Sequence, residues 1–406
     1  MAIQLSDMMA GTLNCARNVA TISPGEEVLI VADTTTDPEI TEAYKIAYES
    51  EGGRVSVLTV KGVGAGCSSE QITHNTLYGL YPKMAVEAAK GADLCINLTG
   101  FADMHGIYGT GFSLYGLKPT DFWEKYHTRM LSVTISNKEG LASDWATYPQ
   151  PLFKYLNFKC HEHLENAVNG DYEHAEVHVT DPQGTDLWLE GFKMCTSGVI
   201  RDNTTSPIGT FGTEQVGMIP HYPTANAEGI IVSTSIHTGY IPAIKATVKG
   251  GRFVNLEGGG EVSKVWMRDW EKCKDCSSEG RLTTFGCPPG PGNNWFEELM
   301  YGVHPRAFRI GYKYRYEGSN TFQAWVGGTR RSGVVHFGIG GGKDEFYRHR
   351  DFEVFHPTLT VNGHTLIEGG HLMVLDFPEV REEAAKYGDP DVLLTEKWIP
   401  EKPPAD

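Results

Sequence analysis

The chain has 406 residues, 40% hydrophobic and 21% charged, with a formal net charge of −16. That is enough apolar material for a large core shared between two domains, and nothing in the composition points to disorder. An acidic surface of this kind repels nucleic acid and anionic lipid, so neither is expected as a partner.

Met1 to Gly11 lacks a basic region followed by an apolar core, and no run approaches the roughly 18 apolar residues of a membrane span. A cytoplasmic location is expected, with the 8 cysteines as thiols. Behind the turn Pro24-Gly25, Glu27–Asp33 is a short apolar run that predicts a strand. Pro38–Glu51 places Ile40, Ala43, Ile46 and Ala47 at helical period, and Gly52-Gly53 stops the helix. Arg54–Val60 alternates as a strand with Val55, Val57 and Leu58 inward. Pro82–Lys90 is a second helix, Asp93–Leu98 a third strand, and Met130–Ile135 continues the pattern. Strands alternating with helices predict a mostly parallel α/β sheet.

Pro149–Val168 predicts a long helix. Ala175–Asp181 and Leu187–Glu190 predict strands joined by a turn at Gly184-Thr185-Asp186. The texture changes near residue 170, which divides the chain into an α/β scaffold domain over 1–170 and a β-rich domain over 171–406. In the latter, Gly229–Thr234, Ala243–Lys249, Phe253–Leu256, Ala307–Tyr312, Val334–Ile339 and Thr358–Val361 are short, rich in β-formers and bounded by Gly, Asn or Pro. They predict an α+β domain dominated by antiparallel sheet.

Candidate ligands fall in this second domain. Residues i and i+2 of a strand share a face, so His349 and Asp351 of His349-Arg350-Asp351 would stand side by side and grip one divalent ion. A further His would complete a two-histidine, one-carboxylate triad, which leaves three positions on Fe(II) for O₂ and a bidentate substrate. The same tripeptide is also common on surfaces. His336 lies in an apolar strand that ends in glycines, suited to a ligand or a proton relay; a buried His bonded to a carbonyl is the commoner use. His304 precedes the apolar run from Ala307. Glu228 opens a β-rich run, where a carboxylate binds metal, serves as a general base or is simply solvated. His237 follows nine residues on. Cys273-Lys-Asp-Cys276 and Cys287 are three thiols where structural zinc wants four ligands, so a loop of free thiols is expected. His161-Glu-His163 falls on the long helix, where i and i+2 diverge, and reads as surface. No phosphate loop, dinucleotide fingerprint, HExxH or GxSxG occurs.

In chain order these pieces resemble the aminopeptidase T family, peptidase family M29, and its non-peptidase relatives, the Fe(II) ring-cleaving 2,5-dihydroxypyridine 5,6-dioxygenases. The likeness spans most of the chain. It is carried by Pro24-Gly25-Glu26-Glu27 with the strand behind it, by Asp181 to Leu187, by Ala227-Glu228-Gly229, by Val334 to Gly340, by His349 to Phe352 and by Pro357 to Gly370. The peptidases bridge two metals with a glutamate just before a Gly-Ile-Gly strand. The matching stretch is read as Arg306–Gly311, which has no carboxylate, and two close dications need anions between them.

The resemblance therefore implies a mononuclear Fe(II) dioxygenase that opens a small hydroxylated aromatic or N-heterocyclic ring with O₂. His304, His349 and Asp351 would hold the metal, with His336 the alternative third ligand. Glu228, His237 and His336 would orient substrate and move protons. Phe101, Tyr108, Phe112 and Trp145 would wall the pocket or belong to the core. A homo-oligomer is implied. The rival is a two-metal aminopeptidase carrying Zn or Co on Glu228, His336, His349, Asp351 and a further bridging carboxylate.

Overall fold

Five consecutive apolar residues, Val28 to Ala32, are all buried in the first strand, β1 (Glu27–Asp33), the signature of a strand covered on both faces. The computed structural model describes residues 2–34, 36–60, 83–98, 119–195, 208–212, 215–222, 224–236, 239–275, 290–308, 328–340 and 350–397. These divide into two compact units. Unit 1 takes in the described residues of 1–150 and 200–213; unit 2 takes in those of 151–199, 214–308 and 328–397.

In unit 1, helix α1 (Leu5–Cys15) precedes β1, and α2 (Pro38–Ser50) follows it. Asp37 caps α2 by accepting from Glu39 N at 2.9 Å, and Pro38 fills its first turn. Its buried face is Ile40, Ala43, Tyr44, Ala47 and Tyr48. Then come β2 (Arg54–Val60), α3 (Lys83–Lys90), β3 (Leu94–Asn97), α4 (Pro119–Tyr126) and β4 (Arg129–Val133). A fifth strand, β8 (Ile208–Phe211), returns from just past the midpoint of the sequence. The sheet order is β2-β1-β3-β4-β8, every pairing parallel, as the alternating pattern predicts. One detail differs. Val57, predicted to face inward, is 41% exposed, because β2 is an edge strand and it is Leu58 and Val60 that pack with Leu29 and Val31.

Unit 2 is the antiparallel sheet that the second texture predicts. After α5 (Lys138–Leu141) of unit 1 and the long α6 (Gln150–Val168), it runs through β5 (Glu176–Thr180), β6 (Asp186–Glu190), β7 (Phe192–Cys195), β9 (Gln215–Pro220), β10 (Asn226–Ile236), β11 (Gly239–Lys249) and β12 (Arg252–Gly258). Helix α7 (Glu261–Cys273) follows, then β13 (Trp295–Gly302), β14 (Val335–Gly340), β15 (Arg350–Val354), β16 (Thr358–Val361), β17 (His364–Glu368) and β18 (His371–Leu372). Strand β10 pairs with both β11 and β15, so the pairings from β10 through β15 form a closed ring. Phe253 of β12 meets Phe352 of β15 across the inside of that ring, with ring centroids 5.9 Å apart. Phe296, Phe337, Trp266 and Trp270 complete the aromatic cluster, the tryptophans supplied by α7 at i and i+4. The predicted strand at Ala307–Tyr312 is not one where it is described. Ala307 and Phe308 follow a turn, and the rest lies outside the described residues.

Candidate metal centre

Three neighbouring strands, β13, β14 and β15, are built so that one face is aromatic and the other polar. On β14 and β15 ordinary alternation does this. Phe337 faces Phe352 on the aromatic side, while His336 faces Glu353 and Gly338 faces Asp351 on the other. On β13 a bulge does it. Phe296 pairs with Ile339 but Glu298 pairs with Gly338, so Glu297 is an extra residue. Phe296 and Glu298, two apart in sequence, therefore point to opposite faces. Gly338 clears the space for Glu298: a Cβ there would fall 2.3 Å from Glu298 Cγ.

The result is a row of Glu298, Gly338 and Asp351 across three strands, with His336 one step along. Glu298, His336 and Asp351 each offer a ligand atom, and those atoms all lie within 4.8 Å of one another. All three residues are at most 2% exposed. His336 Nε2 is 3.5 Å from Glu298 Oε1, and His336 Nδ1 has no hydrogen-bond partner among the described residues. Ligand atoms about 2.1 Å from one ion in octahedral positions lie roughly 3.0–4.2 Å apart, so this spacing suits a shared cation better than a direct bond. Two carboxylates also balance the charge of one dication. The residues present thus fit a divalent metal. Beside them, Glu353 accepts a hydrogen bond from Ser235 Oγ of β10 and completes the acidic face.

Of the candidates named from the sequence, Asp351 and His336 come together here. His304 is buried but does not belong to this group. Its Nδ1 accepts from Arg306 N at 3.1 Å, its backbone bridges Arg331, and its ring packs on Phe153 at 4.2 Å between centroids. Glu228 is exposed on β10 opposite Trp188, and its carboxylate accepts from Gly250 N at 2.7 Å. His237 and His349 lie outside the described residues, as do Cys276, Cys287, Phe101, Tyr108 and Phe112. Cys273 is a buried thiol outside any disulfide, and Trp145 is buried. His161, read as surface, is in fact buried: Nδ1 lies 3.0 Å from Met194 Sδ, and burial lowers its pKa to about 4. The long helix turns this residue inward, where residue type alone suggested water.

Glu298 was missed. The sequence reading sought a carboxylate near Arg306–Gly311, whereas the structure brings one from β13. Two signals pointed to it: paired acids inside the apolar run Trp295–Tyr301, and a glycine, Gly338, interrupting the facing strand.

No family model matches the chain, and no curated protein matches its sequence. Among solved structures, the fold is similar to that of 2,5-dihydroxypyridine dioxygenase from Pseudomonas putida KT2440. The two are 15% identical over 93% of this chain and 98% of that one, with a TM-score of 0.57. Wild-type AmpT from Thermus thermophilus is also similar, at 13% identity over 91% of this chain and 99% of that one, with a TM-score of 0.49. At these identities the likeness is one of fold. Among the described residues, no helix is long and apolar enough to cross a membrane.

Proposed function

We propose that the chain is a metal-dependent enzyme and, within that class, a mononuclear Fe(II) dioxygenase that opens the ring of a small hydroxylated aromatic or N-heterocyclic compound. The observation that carries this reading is the buried group formed by Glu298, His336 and Asp351, with Glu228 lying apart from it. These three would hold the ion from one side, and His336 takes the place that the sequence reading offered first to His304. His349, two residues before Asp351, is the second imidazole that the family resemblance assigns. A bound iron(II) supplies O₂ activation and gathers the oxygens of a chelating substrate. Glu353, tethered by Ser235, stands on the same face outside the ligand group and is placed to accept a hydrogen bond from a substrate hydroxyl.

One observation favours a second reading, the two-metal aminopeptidase. Glu298 is a buried carboxylate of the kind that a bridged metal pair needs, and its supposed absence was the argument against that reading. Metal analysis of protein purified without oxygen separates the two, with O₂ uptake measured on a panel of dihydroxypyridines and dihydroxybenzenes. About one iron per chain with substrate-dependent O₂ uptake is expected. Two zinc or cobalt ions per chain, leucine p-nitroanilide cleavage and no O₂ uptake would transfer the assignment to the peptidase.

A further inference from the structure

The chain holds two Val-Asn-Gly runs, Val168-Asn169-Gly170 and Val361-Asn362-Gly363. An asparagine before glycine is open to attack by the backbone, because glycine carries no Cβ to keep its nitrogen away from the preceding carboxamide. The structure makes the two a matched pair. Asn169 (φ 53°) and Gly170 (φ 85°) close the end of α6, and Asn362 (φ 48°) and Gly363 (φ 78°) form the turn between β16 and β17. All four residues are exposed. A Cβ at either glycine would meet nothing within 4 Å, so neither turn is crowded. The asparagine side chains differ. Asn362 is tied at both ends of its amide: Oδ1 accepts from Glu176 N at 2.9 Å, and Nδ2 donates to Ala167 O at 3.0 Å, a carbonyl in the last turn of α6. The Asn169 amide makes no hydrogen bond among the described residues, and neither does the Gly170 nitrogen.

We propose that Asn169 is a site of covalent modification, converting through a cyclic imide to isoaspartate and aspartate, while its twin Asn362 is protected. The Gly170 nitrogen attacks Asn169 Cγ and gives up its proton. The N–Cγ bond forms, the Cγ–Nδ2 bond breaks, and Nδ2 leaves as ammonia with that proton. Water then opens the imide. Addition at Cγ gives aspartate, and addition at the main-chain carbonyl gives isoaspartate, whose main chain is one carbon longer. Neither step consumes an oxidant or a cofactor. At Asn362 the same Cγ cannot turn toward Gly363 N until both of its hydrogen bonds break. Either product sets a carboxylate at the C-terminal end of α6 between Glu165 and Asp171, where the helix dipole disfavours an anion.

Ageing the full-length protein at mildly alkaline pH tests this, with peptide mapping by mass and with methyl transfer from an isoaspartyl methyltransferase as the two readouts. The Asn169 peptide is expected to convert at least about tenfold faster than the Asn362 peptide, because two hydrogen bonds must break at the latter. In protein unfolded in urea the two should convert within about twofold, since neither amide is then held. N169Q should lose most of the methyl acceptance, because the longer side chain closes a ring on Gly170 N less readily. Equal rates in the folded protein, faster conversion at Asn362, or no conversion at Asn169 while the unfolded chain converts would overturn the inference. So would a ratio that persists in urea, or methyl acceptance undiminished in N169Q. The wild-type comparison decides the matter even if N169Q does not fold. None of these readouts passes through the metal centre, so the outcome is independent of the proposed activity.

Discussion

Arg350 and Asp351 are consecutive, equally buried, and in opposite surroundings. Arg350 points into the aromatic side of the β13–β15 ladder, where it pairs with Asp269 of α7 and lies 4.9 Å from the Trp266 ring centroid. Asp351 points the other way, toward Glu298 and His336. A charge taken out of water persists only with compensation. On the aromatic face the chain supplies it within reach of one helix, and the result is structural. On the polar face two carboxylates gather around an imidazole, and a cation would complete them. The comparison teaches that burial alone does not mark a functional charge. What distinguishes the two faces is whether opposite charge or like charge is brought in.

The sharpest way to break this comparison is to remove a ligand. H336A or D351A should abolish metal binding and lower turnover by at least about a hundredfold, since the ion supplies several kcal/mol to the reaction. A variant that is active and still carries one iron per chain would remove that residue from the centre. The other face should respond in stability instead. D269A leaves the Arg350 charge buried without its partner and is expected to cost about 3–5 kcal/mol in urea unfolding, with metal content unchanged. A loss below about 1 kcal/mol would show that the pair is not what holds α7 to the ring.

Gly338 sits between the two effects. G338A forces a methyl against Glu298 and is expected to cost about 1–3 kcal/mol and to weaken metal binding together. Metal affinity unchanged in G338A would place Glu298 outside the ligand set.

The smallest effect lies outside the centre and serves as a control. His371 Nδ1 lies 2.8 Å from Glu396 and Nε2 lies 2.9 Å from Asp376. The Glu396 hydrogen bond, with help from Asp376, raises its pKa from 6.5 to about 9. A raised folded pKa means stability fully present below about pH 6.5 and lost as pH climbs through about 9. With 41% of the side chain exposed, solvent screening reduces the effect to about 1 kcal/mol. Thermal unfolding from pH 6 to 10 should show this slope, and H371Q should flatten it. His161 has the opposite sign. Burial lowers its pKa to about 4, so its contribution is lost as pH falls from 6.5 toward 4.

Much of the architecture was legible. The parallel half follows from alternating apolar runs and helical periods, and the antiparallel half from short β-rich runs between glycines. Asp351 and His336 were legible because strand alternation gives each a face. Glu298 was not, because a one-residue bulge reverses the face that counting by two assigns to it. His161 and Val57 were misplaced because whether a helix face or an edge strand is covered depends on neighbours distant in sequence.

The sequence by itself determined many of the elements, the two textures and the residue types available for metal chemistry, since these depend on local period and on side-chain chemistry. Tertiary structure alone decided that Glu298, separated from Asp351 by more than fifty residues, shares a row with it, and that His304 packs on Phe153 away from that group. Register, bulge and ring closure are long-range pairings, and a local pattern cannot specify which distant strand will stand beside it.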